Sequence, residues 1–294
     1  MVEVKKSKTT TIEGKSRCWD LTLFYRKHTA DENVLEEMKE DLFFSGVPEY
    51  HLHRDDIIID VGAHIGTFSL LVASRAVNGK VFAIEASKES FDYLCKNSRI
   101  NNFRNVSLCH LALAGRKGET RLYHDSNGNW GHTIMKDLLG EYELAPTDSL
   151  ENFMADNDIE KCDFMKINCE GAEFDILLNA PRETLKKIRT LLVLYHLDLA
   201  VGYDELTLPR WLNQSGFTTT IRSKTAERGW IIAHNNAFKM RMDELFRYSL
   251  WQVCNRRGGR SAWQIFSILT IAPNKIAFLN EKIAKIRKIV RTAI

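Results

Sequence analysis

Four residues in the first third of the chain have the types and spacing for ligand binding: Asp60, Gly62, Gly66 and Glu85. Two glycines four apart make a turn that a ligand can approach closely, since no side chain stands in the way. Ala63 and His64 complete that loop. Glu85, followed by Ala86, stands 25 positions after Asp60. A carboxylate at the end of the next strand is placed to accept hydrogen bonds from both hydroxyls of a ribose. An acid beside the loop, Asp60, repels a pyrophosphate and suits a positively charged ligand. The spacing also lacks the third glycine of a dinucleotide fingerprint. The pattern therefore favours S-adenosylmethionine, with its ammonium and sulfonium charges, over a nicotinamide dinucleotide.

A second group lies further on: Lys166, Glu170, Glu173 and His196. An imidazole titrates near neutrality, so His196 is the first candidate for a base that takes a proton from an attacking hydroxyl. Glu170 is the second catalytic candidate, expected to face the cleft and there to bind the donor's amino group or position the acceptor. Glu173 either faces the donor or, at a helix start, offsets the helix dipole. A strand lysine is costly to bury unpaired, so Lys166 is expected to pair with Asp60 or a glutamate.

These groups need elements to hold them. Ile57–Val61 is short and β-branched and reads as a buried parallel strand, and Thr67–Ala76 has helical spacing. Val81–Ile84 is the next strand, Ser87–Arg99 a helix and Asn105–Leu111 a third strand. Ala112–Ala114 then crosses the same sheet edge, where the backbone at Ala112 can read an adenine. Thr120–His124 suggests a short strand, and residues 125–133 a polar, glycine-rich loop with Trp130 and His132. Asp148–Glu151 reads as a capping box opening a helix. Phe164–Cys169 and Thr190–His196 are strands four and five, with a helix over Tyr203–Ser215. Phe217–Arg222 and Gly229–His234 form a closing hairpin. Before this core, Met1–Lys15 reads as disordered, Cys18–Tyr25 as strand and Asp31–Leu42 as a helix capped by Thr29 or Asp31. Strands alternating with helices predict an α/β fold, a mostly parallel sheet with helices on both faces and a site at the carboxyl ends of the strands.

The chain from about Asp55 to His234 resembles FkbM-type S-adenosylmethionine-dependent methyltransferases. The likeness rests on Ile59–Gly66, Val81–Glu85, Asn105–Gly118 and above all Lys166-Ile167-Asn168-Cys169-Glu170-Gly171-Ala172-Glu173. The resemblance implies a seven-stranded class I methyltransferase sheet, Rossmann-like, with the last strand antiparallel. It also implies methylation of an oxygen on a sugar, polyketide or related small molecule. Three positions depart from the pattern. His64 stands where Asn is common and Asn168 where Asp is common, and of a strand-five Glu-x-His only His196 is present.

Composition sets outer bounds. At 294 residues, with 44% hydrophobic and 27% charged content, the chain fits one α/β domain with additions. The expected divisions are an N-terminal extension over 1–54, a donor-binding domain over 55–238 and a basic helical extension over 239–294. Six cysteines without paired spacing fit reduced thiols in a cytoplasmic protein. Met1–Lys15 has no leader character, and no apolar run reaches membrane-spanning length. His51 and His53 have ligand spacing but no evident third partner, so no metal site is expected. From Lys239 on, twelve Lys/Arg face three acids, while the rest carries 29 bases against 35 acids. Ile276, Leu279, Ile283, Ile286 and Val290 make an apolar stripe among those bases. Such a helix suits a membrane surface, its own domain or a second copy of the chain, and the acidic body argues against nucleic acid.

The expected function is S-adenosylmethionine-dependent methylation of a saccharide or glycoconjugate hydroxyl. Two other readings stay open: a non-catalytic donor-binding scaffold anchored by the tail, and an NAD-dependent oxidoreductase.

Overall fold

A computed structural model describes residues 12–39, 47, 50–123, 133–134, 142–222 and 224–244. The glycine-rich loop over 125–132, with Trp130 and His132, and the basic tail from residue 245 lie outside them. The chain divides into two units, Met1–Phe43 with Leu52–Lys239, and Phe44–His51 with Met240–Ile294. In the second, Nδ1 of His51 lies 2.6 Å from Oδ2 of Asp243, and the buried Glu244 accepts a 2.7 Å bond from the Arg241 N–H. No helix among the described residues is long and apolar enough to cross a membrane.

The first unit opens with a hairpin, β1 (Glu13–Cys18) and β2 (Leu21–Arg26), then α1 (Asp31–Lys39). There follow β3 (Ile57–Val61), α2 (Thr67–Arg75), β4 (Lys80–Glu85), α3 (Lys88–Ile100), β5 (Val106–His110), β6 (Ala112–Leu113), β7 (Gly118–Tyr123), β8 (Tyr142–Asp148), α4 (Leu150–Asp156) and β9 (Cys162–Ile167). The unit ends with α5 (Ala172–Asn179), α6 (Arg182–Lys186), β10 (Ile188–His196), α7 (Thr207–Gln214), β11 (Phe217–Arg222) and β12 (Arg228–Asn235).

Seven strands form one sheet in the order β11-β12-β10-β9-β3-β4-β5, in which β12 runs antiparallel to both neighbours and the other pairs are parallel. This is the expected class I arrangement. The strands are nearly continuous apolar runs because both faces are covered. On one face Ile59, Phe82, Met165 and Leu191 pack with Phe153, Phe174, Leu185 and Leu212 from α4 to α7. On the other, Ala83 meets Leu94 of α3, and Phe164 lies 6.1 Å from Phe68 of α2. The chain leaves β3 towards β4 and β5 on one side, while β9 pairs on the other. The crevice at this switch point is where such sheets bind ligands.

Several local expectations change. Residues 13–26 form a hairpin with both turn residues, Trp19 and Asp20, at positive φ. Trp-Asp is not a usual sequence for that turn, so the pairing was not legible. Its outer strand docks on α3 through two asparagines four apart. Asn101 and Asn97 accept bonds from the N–H groups of Thr22 and Phe24 at 2.8 and 2.7 Å and donate back to the same residues' carbonyls. The helix thus satisfies an edge strand with side-chain amides. A second sheet, β6-β8-β7, includes Tyr142–Asp148, which carries Pro146 and was not anticipated. The α4 cap is Ser149, whose hydroxyl accepts from Asn152 N–H, one residue later than the Asp148 reading. The fifth-strand helix starts at Thr207, not Tyr203.

Candidate active site

The loop after β3 carries the first part of the site. Gly62 and Gly66 have φ of 76° and 93°, and a Cβ on Gly62 would stand 1.9 Å from the Asn168 carbonyl oxygen. Gly62 is therefore needed for the close approach of β3 and β9, as much as for access by a ligand. His64 also has positive φ, 55°. Its N–H donates to Oε2 of Glu85 at 2.7 Å, and the Ser87 N–H donates to Oε1 at 2.8 Å. Each oxygen keeps a free lone pair, and Glu85 faces the cavity described below. The expected ribose acceptor is therefore held in place by backbone bonds.

Two hollows meet at Gly62 and Cys169. One is an apolar slot lined by Ile84, Ala86, Ala112, Leu113 and Ile134 among others. Its lining is mostly apolar, as an adenine ring requires, and includes Ala86 and Ala112. The other is a cavity of about 200 Å³ lined by Ala63, His64, Glu85, Glu37, Lys166, Glu170, Arg228 and Trp230 among others. Glu85, which lines the polar cavity, stands in the chain between Ile84 and Ala86, which line the slot. A nucleoside base, a ribose and a charged amino-acid end therefore each find matching chemistry. Among the described residues, buried polar atoms left without a hydrogen bond include Nδ1 of His64, Oδ1 of Asn168, Oε2 of Glu170 and Nε2 of His196, the first three on residues that line this cavity.

Asp60 is not one of those ligand-facing groups. It is fully buried, with Oδ1 2.9 Å from Lys166 Nζ and Oδ2 accepting a 2.6 Å bond from Ser69 Oγ. The two residues are paired in register on β3 and β9. The carboxylate that was expected to attract a cationic donor directly is spent on holding Lys166, as the lysine's own burial requires. Lys166 also reaches the Gly62 carbonyl at 3.3 Å, and its ammonium lines the cavity.

Glu173 is likewise turned inward. It is fully buried, accepts bonds from the Cys169 and Gly171 N–H groups at 3.0 and 2.8 Å, and lies 2.9 Å from His196 Nδ1. It is a buried anchor at the start of α5 and not a donor contact. His196 is fully buried too, so it does not touch the cavity. Its Nε2 stands 3.5 Å from Oε2 of Glu170. Burial works to lower the His196 pKa, but the Glu173 bond and the charges of Glu173 and Glu170 outweigh it and raise it. Glu170 is the member of this line that faces the cavity. It has φ of 52°, and burial lifts its carboxyl above the usual range against the pull of His196 and Arg228. Of the two catalytic candidates, the geometry thus puts Glu170 in front and His196 behind it.

The far wall was missed by sequence reading. Arg228 makes a two-pronged pair with Asp198, at 2.7 and 3.2 Å, and reaches within 3.8 Å of Glu170. Trp230 lines the same cavity. Both lie on β12, and only the strand order shows that the closing hairpin comes back beside β10. The near wall is α1, whose first-turn Asp31 accepts bonds from Arg26. Arg26 is itself fully buried.

The sequence profile of the methyltransferase FkbM domain matches residues 60–218, more than half of the chain, including the glycine loop, Glu85, Lys166, Glu170 and His196. The chain belongs to the FkbM methyltransferase family. Similar proteins include the AMB antimetabolite synthetase AmbE of Pseudomonas aeruginosa, 24% identical over 75% of this chain and 12% of that protein. Methyltransferase sdnD of Sordaria araneosa is 23% identical over 49% of this chain and 67% of its own length. The hexuronic acid methyltransferase AglP of Haloferax volcanii is 23% identical over 76% and 82%. The chain spans only about an eighth of AmbE. Membership in a methyltransferase family sets aside the oxidoreductase reading.

Proposed function

We propose that this FkbM-family protein is an S-adenosylmethionine-dependent O-methyltransferase whose acceptor is a saccharide or glycoconjugate hydroxyl. The observation that carries the donor is the apolar slot joined, at Gly62 and Cys169, to a charged cavity in which Glu85 has lone pairs to spare. When bound there, S-adenosylmethionine supplies a methyl group on a sulfonium that a nucleophile displaces in line. The slot at Ala86 and Ala112 holds the base, Glu85 the ribose hydroxyls, and the loop Gly62–Gly66 the approach.

The chain's remaining work is to orient an acceptor and take its proton. Glu170 presents a carboxyl to the cavity whose pKa burial raises above the usual carboxylate range, which makes it a better proton acceptor. His196, clamped by Glu173, stands behind Glu170, its Nε2 3.5 Å from Oε2. Trp230 offers a flat apolar face and Arg228 a guanidinium, a pairing that fits a sugar ring with polar or acidic substituents. AglP, by its name, acts on hexuronic acid, which supports a saccharide acceptor.

The test is transfer of labelled methyl to a panel of neutral and uronic-acid oligosaccharides. Transfer giving an alkali-stable ether supports the reading. Donor binding without transfer to any sugar, or transfer only as an alkali-labile ester, overturns it.

A further inference from the structure

The proposed site has a wall that lies outside the matched family region. Val34 and Glu37, three apart on one face of α1, and Ala30 just before the helix line the cavity. Glu37 is half-buried there. Among the described residues no hydrogen bond or ion pair occupies its carboxylate. Burial raises its pKa, and the nearest opposing influences are the charges of Lys166 and His64. Lys166 lines the same cavity with two of its three N–H directions taken, by Asp60 and the Gly62 carbonyl. A half-buried carboxylate without a partner is costly, and a bound cation offsets that cost.

The helix is also fixed in place. Arg26 donates to both oxygens of Asp31, at 2.9 and 2.7 Å, and to Ser90 Oγ at 3.0 Å. Nε2 of His64, on the glycine loop, lies 3.1 Å from Oδ1 of Asp31. The start of α1, the loop and α3 are thus tied to one guanidinium that no solvent reaches. Glu37, two turns along, is held against the cavity by the same clamp.

Resting on the donor assignment above, we infer that α1 completes the donor site: Glu37 takes the α-ammonium of the donor's amino-acid end and Lys166 its α-carboxylate. The two side chains offer one charge of each sign in one cavity, which is the pattern of a zwitterion. The adenine slot and Glu85 fix the opposite end of the same ligand.

Two commercial nucleosides separate the possibilities. S-adenosylhomocysteine carries the amino-acid end, and 5′-methylthioadenosine has the same base, ribose and thioether without it. Calorimetry on the full chain gives affinities for both. Wild type is expected to bind the first more tightly. Glu37→Gln should weaken it by about 10-fold or more, the scale of a charge-assisted hydrogen bond, and leave methylthioadenosine unchanged. Glu37→Lys should weaken it further. Unchanged binding of S-adenosylhomocysteine, or equal loss for both nucleosides, overturns the inference and leaves α1 a structural wall. Failure of the wild type to bind either nucleoside overturns the donor assignment itself.

Discussion

His196 Nδ1 lies 2.9 Å from Glu173 Oε1, and neither side chain is reached by solvent. The contact raises the histidine's pKa despite burial, which by itself lowers it. A folded-state pKa above the unfolded one adds stability that is complete below about pH 6.5 and disappears as pH rises through the folded value. Glu173→Gln removes this contribution, along with pH-independent bonds to the Cys169 and Gly171 N–H groups. Urea unfolding should therefore show a wider gap between wild type and variant at about pH 5.5 than at about pH 9. A gap of constant width at all pH values would mean that His196 is not held charged.

Glu170 is the group expected to take the acceptor's proton. Its raised pKa puts the ionised form on the alkaline side of the rate profile, so kcat should rise with pH through that value. Glu170→Gln should lower kcat by about 10²- to 10⁴-fold and abolish that limb, with donor affinity little changed. His196→Gln should shift the limb and not remove it, since His196 acts through Glu170. A variant that loses donor binding in step with kcat would assign Glu170 to the donor instead.

The Asp60–Lys166 pair predicts non-additive stability. Removing either partner leaves a buried charge alone, and Asp60→Leu or Lys166→Met should each cost about 3–5 kcal/mol. The double variant should cost less than either single one, because no charge is stranded. Denaturant unfolding of the four proteins measures this. Costs that simply add would show that the two groups are not coupled.

Glu85 is predicted to govern the donor's ribose. Glu85→Ala removes an acceptor for two hydroxyls and the anchor of the His64 and Ser87 N–H groups. Affinity for S-adenosylhomocysteine should fall by at least about 10-fold by calorimetry, with Glu85→Gln in between. Unchanged affinity in Glu85→Ala would remove the basis for the donor site.

The sheet was legible because its strands are short apolar runs separated by helical periodicity, as at Ile57–Val61 and Val81–Ile84. The positions of Glu85 and Glu170 at strand ends followed from the same pattern. What sequence could not show is direction. Asp60 and Glu173 have the right residue types beside the right loops, yet both point inward. The cost of burying Lys166 made its pairing with Asp60 expected, but not that this pairing turns Asp60 away from the cavity, nor that Glu173 meets His196. Only the pairing of β3 with β9, and the turn into α5, decide that. Arg228, Trp230 and Glu37 were missed for a different reason. They come from segments distant in sequence that the strand order and the Arg26 clamp bring to one cavity, and no local pattern marks them.

The antiparallel placement of β12 also constrains how the protein is made. β10 pairs with β9 on one side and waits for β12 on the other, while β12 must slip between β10 and the earlier-made β11. Until a ribosome has released residues 228–235, β10 presents nine largely apolar residues with an open edge. Such an edge invites pairing with another nascent chain. Because Arg228 and Trp230 ride on the strand that seals it, the far wall of the cavity and protection from aggregation arrive in the same folding step.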